Sequence, residues 1–323
     1  MINMAEKNGG KTKIFIDGRE GTTGLRIYDR LEKMDGIELI ILKEDERKDR
    51  AKRKEALNSC DIAFLCLPDA AAIEAAELVE RENVILIDTS TAHRTDKDWA
   101  YGLPELGEGF REKILDSKRI AVPGCHASGF IVLVYPLIEE GILPKDAFLS
   151  CFSLTGYSGG GKKMIAEYEG ENRSPLLDAP RQYGITQNHK HLKEMTEITG
   201  LDRKPVFCPI VGDFYSGMEV TVPLFKDQLL NGAKAEDIKN IYKNRYGGSV
   251  ITYVEGDDTA GFYSAADMSG FDNMKISVEG NDDRIILVAR YDNLGKGASG
   301  AAIECLNYKL GKNITDGLDI KEC

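Results

Sequence analysis

No two cysteines in this chain are spaced Cys-x-x-Cys, and the seven present, at 60, 66, 125, 151, 208, 305 and 323, make an odd number. That excludes a disulfide framework and a zinc ribbon, leaving most of them as small buried hydrophobes and one as a candidate nucleophile. Basic charge is short as well: Lys plus Arg total 42 against 53 for Asp plus Glu, a net charge of −11. A surface of that sign repels nucleic-acid phosphates and anionic lipid, so neither nucleic acid nor a membrane is an expected partner. Long apolar runs are missing too. Met1 to Gly10 has no greasy core of a secretion signal, and the longest stretch, Gly129 to Ile138, is interrupted by Pro136 and too short to span a bilayer. The expectation is a cytoplasmic chain, without internal repeats or low-complexity linkers.

What is present suffices for two cores, because 323 residues with 42% hydrophobic side chains exceed the roughly 250–300 residues at which a single core stops growing. Lys13 to Asp17, Glu38 to Leu42, Ile62 to Leu67 and Val84 to Asp88 read as buried parallel strands separated by charged helical stretches. That rhythm is α/β, a Rossmann-type doubly wound parallel sheet. After about residue 150 the runs Phe148 to Leu154, Gly217 to Leu224, Val250 to Val254, Met274 to Glu279 and Arg284 to Tyr291 follow with fewer helices between them. They predict an α+β second domain on a mixed or antiparallel sheet. The expected division is an N-terminal extension at 1–11, a first domain at 12–122 completed by a C-terminal helix within 292–323, and a second domain at 123–291. Gly311 stands where a C-cap glycine would stop that helix.

The first strand runs into Gly18-Arg19-Glu20-Gly21-Thr22-Thr23-Gly24, after which Leu25 begins a helical pattern. A glycine turn there lets backbone N–H groups approach a pyrophosphate at a helix N-terminus. The spacing departs from the usual dinucleotide fingerprint, and the alternative reading is a tight turn needing glycine for positive φ. The second strand ends in Lys43 to Arg50, where both signs of charge occur. A 2′-phosphate calls for a cation, so Arg47 and Lys48 point to NADP, while a solvated, charged helix start remains open.

Cys125 follows Pro123-Gly124 and precedes the apolar run Phe130 to Leu137. If that run is a helix, the thiol sits at its N-terminus, where the macrodipole and unpaired N–H groups favour thiolate and can hold an oxyanion. A second glycine turn, Thr155 to Lys163, offers more donors and two cations for an anion. Of four histidines, His93, His126, His189 and His191, two fall in Asn188 to Met195. A thiol nucleophile needs an imidazole to shuttle its proton, so one of His189 and His191 is the expected acid/base. In an extended segment both rings would share a face, but without further ligand spacing no metal is expected.

At these residues the chain resembles the shorter type of N-acetyl-gamma-glutamyl-phosphate reductase, related in fold and chemistry to aspartate-semialdehyde dehydrogenase. The likeness runs through eight motifs in order: Gly18 to Gly24, Cys66 to Asp69, Asp88 to Arg94, Tyr101 to Leu106, Pro123 to Gly129, Gly156 to Lys162, Asn188 to Met195, and Asp292 to Ala302. The resemblance implies an NADP-dependent enzyme of arginine biosynthesis with Cys125 as nucleophile and His189 or His191 as acid/base. It places Gly18, Gly21, Thr22, Thr23, Gly24, Arg47, Leu67, Pro68, Ser90, Ser158, Gly159, Gly160 and Asn293 around NADP. Gly156, Arg94 and Arg181 would meet the acyl phosphate substrate, arginine suiting an anion through its bidentate fork. The first domain would bind NADP and the second carry catalysis and oligomerisation, giving a homodimer or tetramer. One departure is Lys193, where the family usually carries proline before Glu194; it changes the backbone restriction and charge beside the histidines.

The implied reaction is attack of the Cys125 thiolate on the acyl phosphate carbonyl, loss of phosphate to leave a thioester, and hydride reduction to the semialdehyde. Competing readings are an aspartate-semialdehyde type of dehydrogenase, a non-catalytic NADP sensor, and a Cys-His hydrolase or acyltransferase without cofactor.

Overall fold

The computed structural model describes residues 10–256 and 260–322; residues 1–9 of the expected extension lie outside them. The chain divides into two compact units, one running up to Pro123 and taking in Ala298–Leu318, the other comprising Gly124–Gly297 and the chain from Asp319 onward.

In the first unit β1 (Thr12–Asp17), α1 (Thr22–Leu31), β2 (Ile37–Ile40), α2 (Arg50–Ser59), β3 (Ile62–Leu65), α3 (Asp69–Glu77) and β4 (Ile85–Asp88) alternate. Then come β5 (Ala100–Tyr101), α4 (Glu108–Asp116) and β6 (Arg119–Ala121). The strands are ordered β2-β1-β3-β4-β6-β5, and every pairing is parallel. β3 and β4 are buried at every residue, which is why they read as unbroken apolar runs. β2 is an edge strand and only half-buried. Ile27 and Leu31 of α1 pack on one face of the sheet, Ala56 and Leu57 of α2 with Ala75 of α3 on the other. The order reverses between β1 and β3, so a crevice opens at the carboxyl ends of those strands. A buried ion pair reinforces that end: Arg53 of α2 donates to Asp17 at 2.9 and 3.0 Å and reaches Glu74 of α3 at 3.3 Å.

The second unit begins with α5 (Cys125–Glu139), followed by β7 (Ser150–Gly156), α6 (Gly161–Glu169), β8 (Arg181–Gln182), α7 (His191–Thr199) and β9 (Val206–Gly212). β10 (Met218–Phe225), α8 (Ala235–Arg245), β11 (Ile251–Tyr253), β12 (Met274–Asn281) and β13 (Arg284–Tyr291) complete it. Its sheet is mixed, ordered β11-β12-β13-β10-β7-β9-β8, with parallel pairs at β11/β12 and β7/β9 and antiparallel ones elsewhere. α5 is apolar nearly all round because it is buried nearly all round, from His126 to Val134 without a break. Alternation in β10 buries Met218, Val220, Val222 and Leu224 and turns Thr221, Pro223 and Phe225 outward.

The chain returns to the first unit in α9 (Gly300–Leu310), whose Ala301, Ala302, Ile303 and Leu306 join the core formed by α1. Gly311 ends it at φ 64°, ψ 27°, the left-handed cap the sequence predicts.

Candidate active site and dinucleotide cradle

The turn after β1 is glycine-built because nothing larger fits. Gly18 has φ +86°, and a Cβ on it would lie 2.2 Å from the Cys66 carbonyl oxygen; a Cβ on Gly24 would lie 2.5 Å from the Gly18 oxygen. Gly21 donates to the Gly18 carbonyl at 3.0 Å and is the N-cap of α1, with no side chain capping that helix. The first-turn amides at Thr22, Thr23 and Gly24 have no acceptor within the helix and form a cradle for an anion. A cavity of about 590 Å³ adjoins this turn, lined among others by Gly18, Arg19, Arg47, Lys48, Leu67 and Pro68. Arg47 pairs there with Glu20 at 3.0 Å, and the Arg19 guanidinium lies over the Tyr28 ring. Apolar walls, an adjoining helix N-terminus and the cations Arg19, Arg47 and Lys48 in its lining fit a phosphorylated dinucleotide.

Ser90 and Arg94 occupy the loop after β4 but are engaged with the protein. The Ser90 hydroxyl donates to Asp88 at 2.7 Å, and Asp88 also meets His93 Nδ1 at 2.6 Å, with His93 stacked on Trp99. Arg94 is 8% exposed and donates to the carbonyls of Val122 and Thr89, both at 2.9 Å. These contacts organise the ends of β4 and β6.

Cys125 is the first residue of α5, with Gly124 as N-cap and no side-chain cap. The approach to the helix is fixed from α7: buried Glu194 accepts the Gly124 N–H at 2.7 Å. Tyr291 at the end of β13 donates its hydroxyl to the Cys125 carbonyl and accepts from Gly129 N–H at 3.1 Å. Gly297 packs flat against the cysteine, since a Cβ there would be 2.9 Å from the Cys125 Cβ. Cys125 is partly buried as a residue, as are Cys66 and Cys208, whereas Cys60, Cys151 and Cys305 are buried. Of the partly buried three, Cys125 alone begins a helix. Burial pushes the Cys60 thiol up to about 12. A partly buried cysteine at a helix N-terminus is the arrangement that supports a thiolate nucleophile.

Three imidazoles cluster beside that helix start. His189 and His191 have ring centroids 4.8 Å apart, and His126 lies 5.5 Å from His191 and 6.0 Å from His189. The segment is not extended: His189 is on a loop and His191 opens α7, which is why adjacent rings meet edge to face. His189 Nδ1 accepts the His191 backbone N–H at 3.2 Å. Its neutral form therefore carries the proton on Nε2, and burial with the nearby Lys190 lowers its pKa. His126 is 3% exposed, with Nδ1 at 2.6 Å from Ser153 Oγ and Nε2 at 2.6 Å from the Tyr183 hydroxyl. Burial first, then His189, lowers its pKa to about 3. Tyr183 and Glu194 are constituents that the residue-by-residue reading missed. Tyr183 carries no motif of its own, and Glu194 stands out only by its helical spacing from the histidines. Lys193 points away, exposed beside Glu197 at 3.8 Å.

The second glycine turn belongs to this unit. Gly156 ends β7 with its N–H donated to Gly217 at 3.0 Å, and a Cβ on it would meet the Tyr215 and Phe214 carbonyls at 2.6 and 2.7 Å. Close packing is thus what makes that position glycine. Asn293 accepts from Gly217 N–H and donates to Ser158 Oγ, both at 3.0 Å, so it braces the turn from inside. Gly159 and Gly160 are exposed ahead of α6, with Lys162 and Lys163. Arg181 lies half-exposed, donating to the Tyr168 hydroxyl at 3.0 and 3.2 Å.

Comparison with known proteins matches both units. Residues 13–116 fit the family model described as semialdehyde dehydrogenase, NAD binding domain, and residues 125–293 the one described as semialdehyde dehydrogenase, dimerisation domain. An N-acetyl-gamma-glutamyl-phosphate reductase of Brucella ovis is 44% identical over 309 residues, covering 94% of this chain and all of that one. N-acetyl-gamma-glutamyl-phosphate reductase 2 of a Nostoc species is 44% identical over 315 residues, 93% of this chain and 97% of that protein. Among solved structures, aspartate semialdehyde dehydrogenase II of Vibrio cholerae superposes with a TM-score of 0.69 at 16% identity, over 92% of this chain and 98% of that one. The first of these family models carries a nicotinamide cofactor site to the unit that holds the glycine cradle. Among the described residues no helix is long and apolar enough to cross a membrane.

Proposed function

Because the chain belongs to the N-acetyl-gamma-glutamyl-phosphate reductase family, we propose that it reduces N-acetyl-gamma-glutamyl phosphate to N-acetylglutamate semialdehyde in arginine biosynthesis, releasing phosphate, with NADPH. The observation that carries this reading is a partly exposed cysteine at the first position of a helix, beside three imidazoles. The Cys125 thiolate attacks the acyl carbonyl, the first-turn amides of α5 hold the developing oxyanion, and phosphate departs to leave a thioester. NADPH, when bound, supplies the hydride that reduces this thioester. Gly18, Gly21, Thr22, Thr23 and Gly24 hold its pyrophosphate, Leu67 and Pro68 give an apolar wall, and Arg47 with Arg19 and Lys48 receives the 2′-phosphate that makes NADP the preferred form.

The two histidines of the pair divide the work. His189 spends its Nδ1 lone pair on the His191 N–H, so it serves as a hydrogen-bond donor through Nε2. Proton exchange with sulfur falls to His191, which takes the thiol proton and returns one as the hemithioacetal collapses. Glu194 keeps the helix start and the histidine helix in register through Gly124. Gly159, Gly160 and the adjoining lysines receive an anion, while Ser158 and Asn293 shape their turn. Arg181 meets the substrate's carboxylate by releasing Tyr168. Ser90 and Arg94 support the site as buried braces.

The chain works as a homo-oligomer, dimer or tetramer, in the cytoplasm. Phe152, Val206 and Ile286 stand on one face of the mixed sheet and are 46, 56 and 40% exposed, an apolar surface a second copy would cover.

The test is Cys125→Ser assayed with the semialdehyde, phosphate and either NADP or NAD. Turnover should fall by at least about 10³-fold while NADPH still binds, and NADP should outperform NAD. Near-normal turnover by the variant would end the thioester reading, and a preference for NAD would end the cofactor assignment.

A further inference from the structure

Between β8 and the histidine pair the chain makes a tight turn at 184–187, which Gln187 closes by donating its N–H to the Gly184 carbonyl at 3.0 Å. Both ends of the turn are left-handed, Gly184 at φ 61° and Gln187 at φ 55°. Glycine takes such a backbone freely, and asparagine, aspartate and histidine are the side chains enriched there. The turn by itself therefore does not ask for glutamine.

The side chain does. Gln187 Oε1 accepts the Phe207 N–H at 2.9 Å, and its Nε2 donates to the Phe207 carbonyl at 2.7 Å. A carboxamide can meet both groups of one residue because it carries a donor and an acceptor side by side. β8 pairs with β9 at Val211 and Ile210, and the Tyr183 N–H continues that ladder to the Pro209 carbonyl at 3.0 Å. Gln187 supplies the next rung from a side chain after the backbone has turned away, closing the edge of β9. The clamped residue also bears the ring on which the imidazoles rest. The Phe207 ring centroid lies 5.2 Å from that of His189 and 5.4 Å from that of His126. Gly184 keeps the turn close to the same ring, since a Cβ on it would lie 3.1 Å from Pro209 Cγ and 3.9 Å from His189 Cδ2.

We propose that Gln187 is a positioning residue for His189: clamped to the Phe207 peptide two positions ahead of the imidazole, it fixes that ring against Phe207 and within the histidine cluster.

The length of the side chain is what the clamp needs. Asparagine suits the left-handed backbone better but is one carbon shorter, and glycine suits it best but has no amide to offer. Gln187 itself is exposed, so replacing it leaves the core intact. The groups facing His189 are His126 on α5, His191 on α7, Tyr183 after β8 and the adjoining Lys190. Burial first, then Lys190, holds the His189 pKa below its ordinary value, so its titration reports how the ring is packed.

The inference rests on the reading of His189 as the hydrogen-bond donor of the reaction. The experiment is a pH titration of the histidine rings by NMR, with carbon-13 at Cε1, in the absence of substrate and cofactor. Wild type is compared with Gln187→Gly and Gln187→Asn, which keep the left-handed turn and remove the reach; His189→Asn identifies the His189 signal. Each variant is checked for a native unfolding transition and for the wild-type pH profile of Cys125 alkylation by iodoacetamide. In both Gln187 variants the His189 titration should move up, toward that of an imidazole in water, as the ring leaves its packing. His126 should stay neutral throughout, because its bonds to Ser153 and Tyr183 do not pass through residue 187. In the reductase assay kcat should fall by about tenfold or more with KM little changed. A His189 titration that superposes on wild type in both variants would overturn the proposal, as would His126 titrating alongside it, the mark of general loosening. The titration involves no turnover, so the clamp can fail while Cys125→Ser still abolishes the reaction. An upward titration with unchanged kcat would keep the clamp and remove His189 from the chemistry.

Discussion

Burial keeps the His126 ring neutral down to about pH 3, and that makes this one residue a lever on stability. Its pKa in the fold lies below the value near 6.5 of an unfolded chain, so between those two values the unfolded state binds the extra proton. The stabilisation is complete above about pH 6.5 and is lost progressively as pH falls toward 3. His189, lowered for the same reason, adds in the same direction. One proton corresponds to a slope of about 1.4 kcal/mol per pH unit. Denaturant unfolding at pH 6.5, 6.0, 5.5 and 5.0 should show wild type losing stability along the descent. His126→Asn should start lower, having lost the ring's hydrogen bonds to Ser153 and Tyr183, but decline less steeply by up to that slope. Parallel pH dependences for the two proteins would mean that His126 is not held neutral by its surroundings.

At the scale of elements, the strands of the first unit were readable because β3 and β4 are buried on both faces and write themselves as continuous apolar runs. In the second unit β10 and β13 were equally plain, being long and central. β5 and β8 were not, since two residues leave no period to read, and β9 was obscured by Pro209 and by the loop that carries the histidines. Motifs were visible as strings, but a string does not tell a ligand-facing residue from a brace. Gly102 belongs to one such motif and is glycine because a Cβ would strike Cys305 Sγ at 2.9 Å. Asn293 likewise is consumed inside the protein. The β1–α1 turn is the case where packing and function coincide. Gly24→Ala puts a methyl 2.5 Å from the Gly18 oxygen, forcing the cradle apart while leaving the strand and the helix intact. The KM for NADPH should rise about tenfold or more, equivalent to about 1.4 kcal/mol of lost binding, with alkylation of Cys125 unchanged. An unaltered KM would show that the dinucleotide does not rest on this turn.

For the whole molecule, the open face of the mixed sheet is the feature with the largest consequence. Strand alternation sends Val220 and Val222 of β10 and Ile285 and Leu287 of β13 inward, and the same alternation leaves Phe152, Pro223 and Ile286 outward. Register places Phe152 opposite Thr221 and Cys208, and Ile286 opposite Pro223 and Glu279, so these side chains form adjoining rows across the central strands. A net charge of −11 keeps separate copies apart at long range, so association must come from short-range apolar burial, at about 25 cal/mol per Å². Phe152→Glu sets a carboxylate at the middle of that surface, and two-fold pairing would bring two of them into one interface. Sedimentation velocity at micromolar concentration should show wild type as a dimer or larger and Phe152→Glu shifted toward monomer. The inward neighbours Cys151 and Ser153 lie on the opposite face of β7, so the variant should keep its Cys125 alkylation profile while losing assembly. If Phe152→Glu sedimented as wild type does, the assembly would have to be sought on another surface.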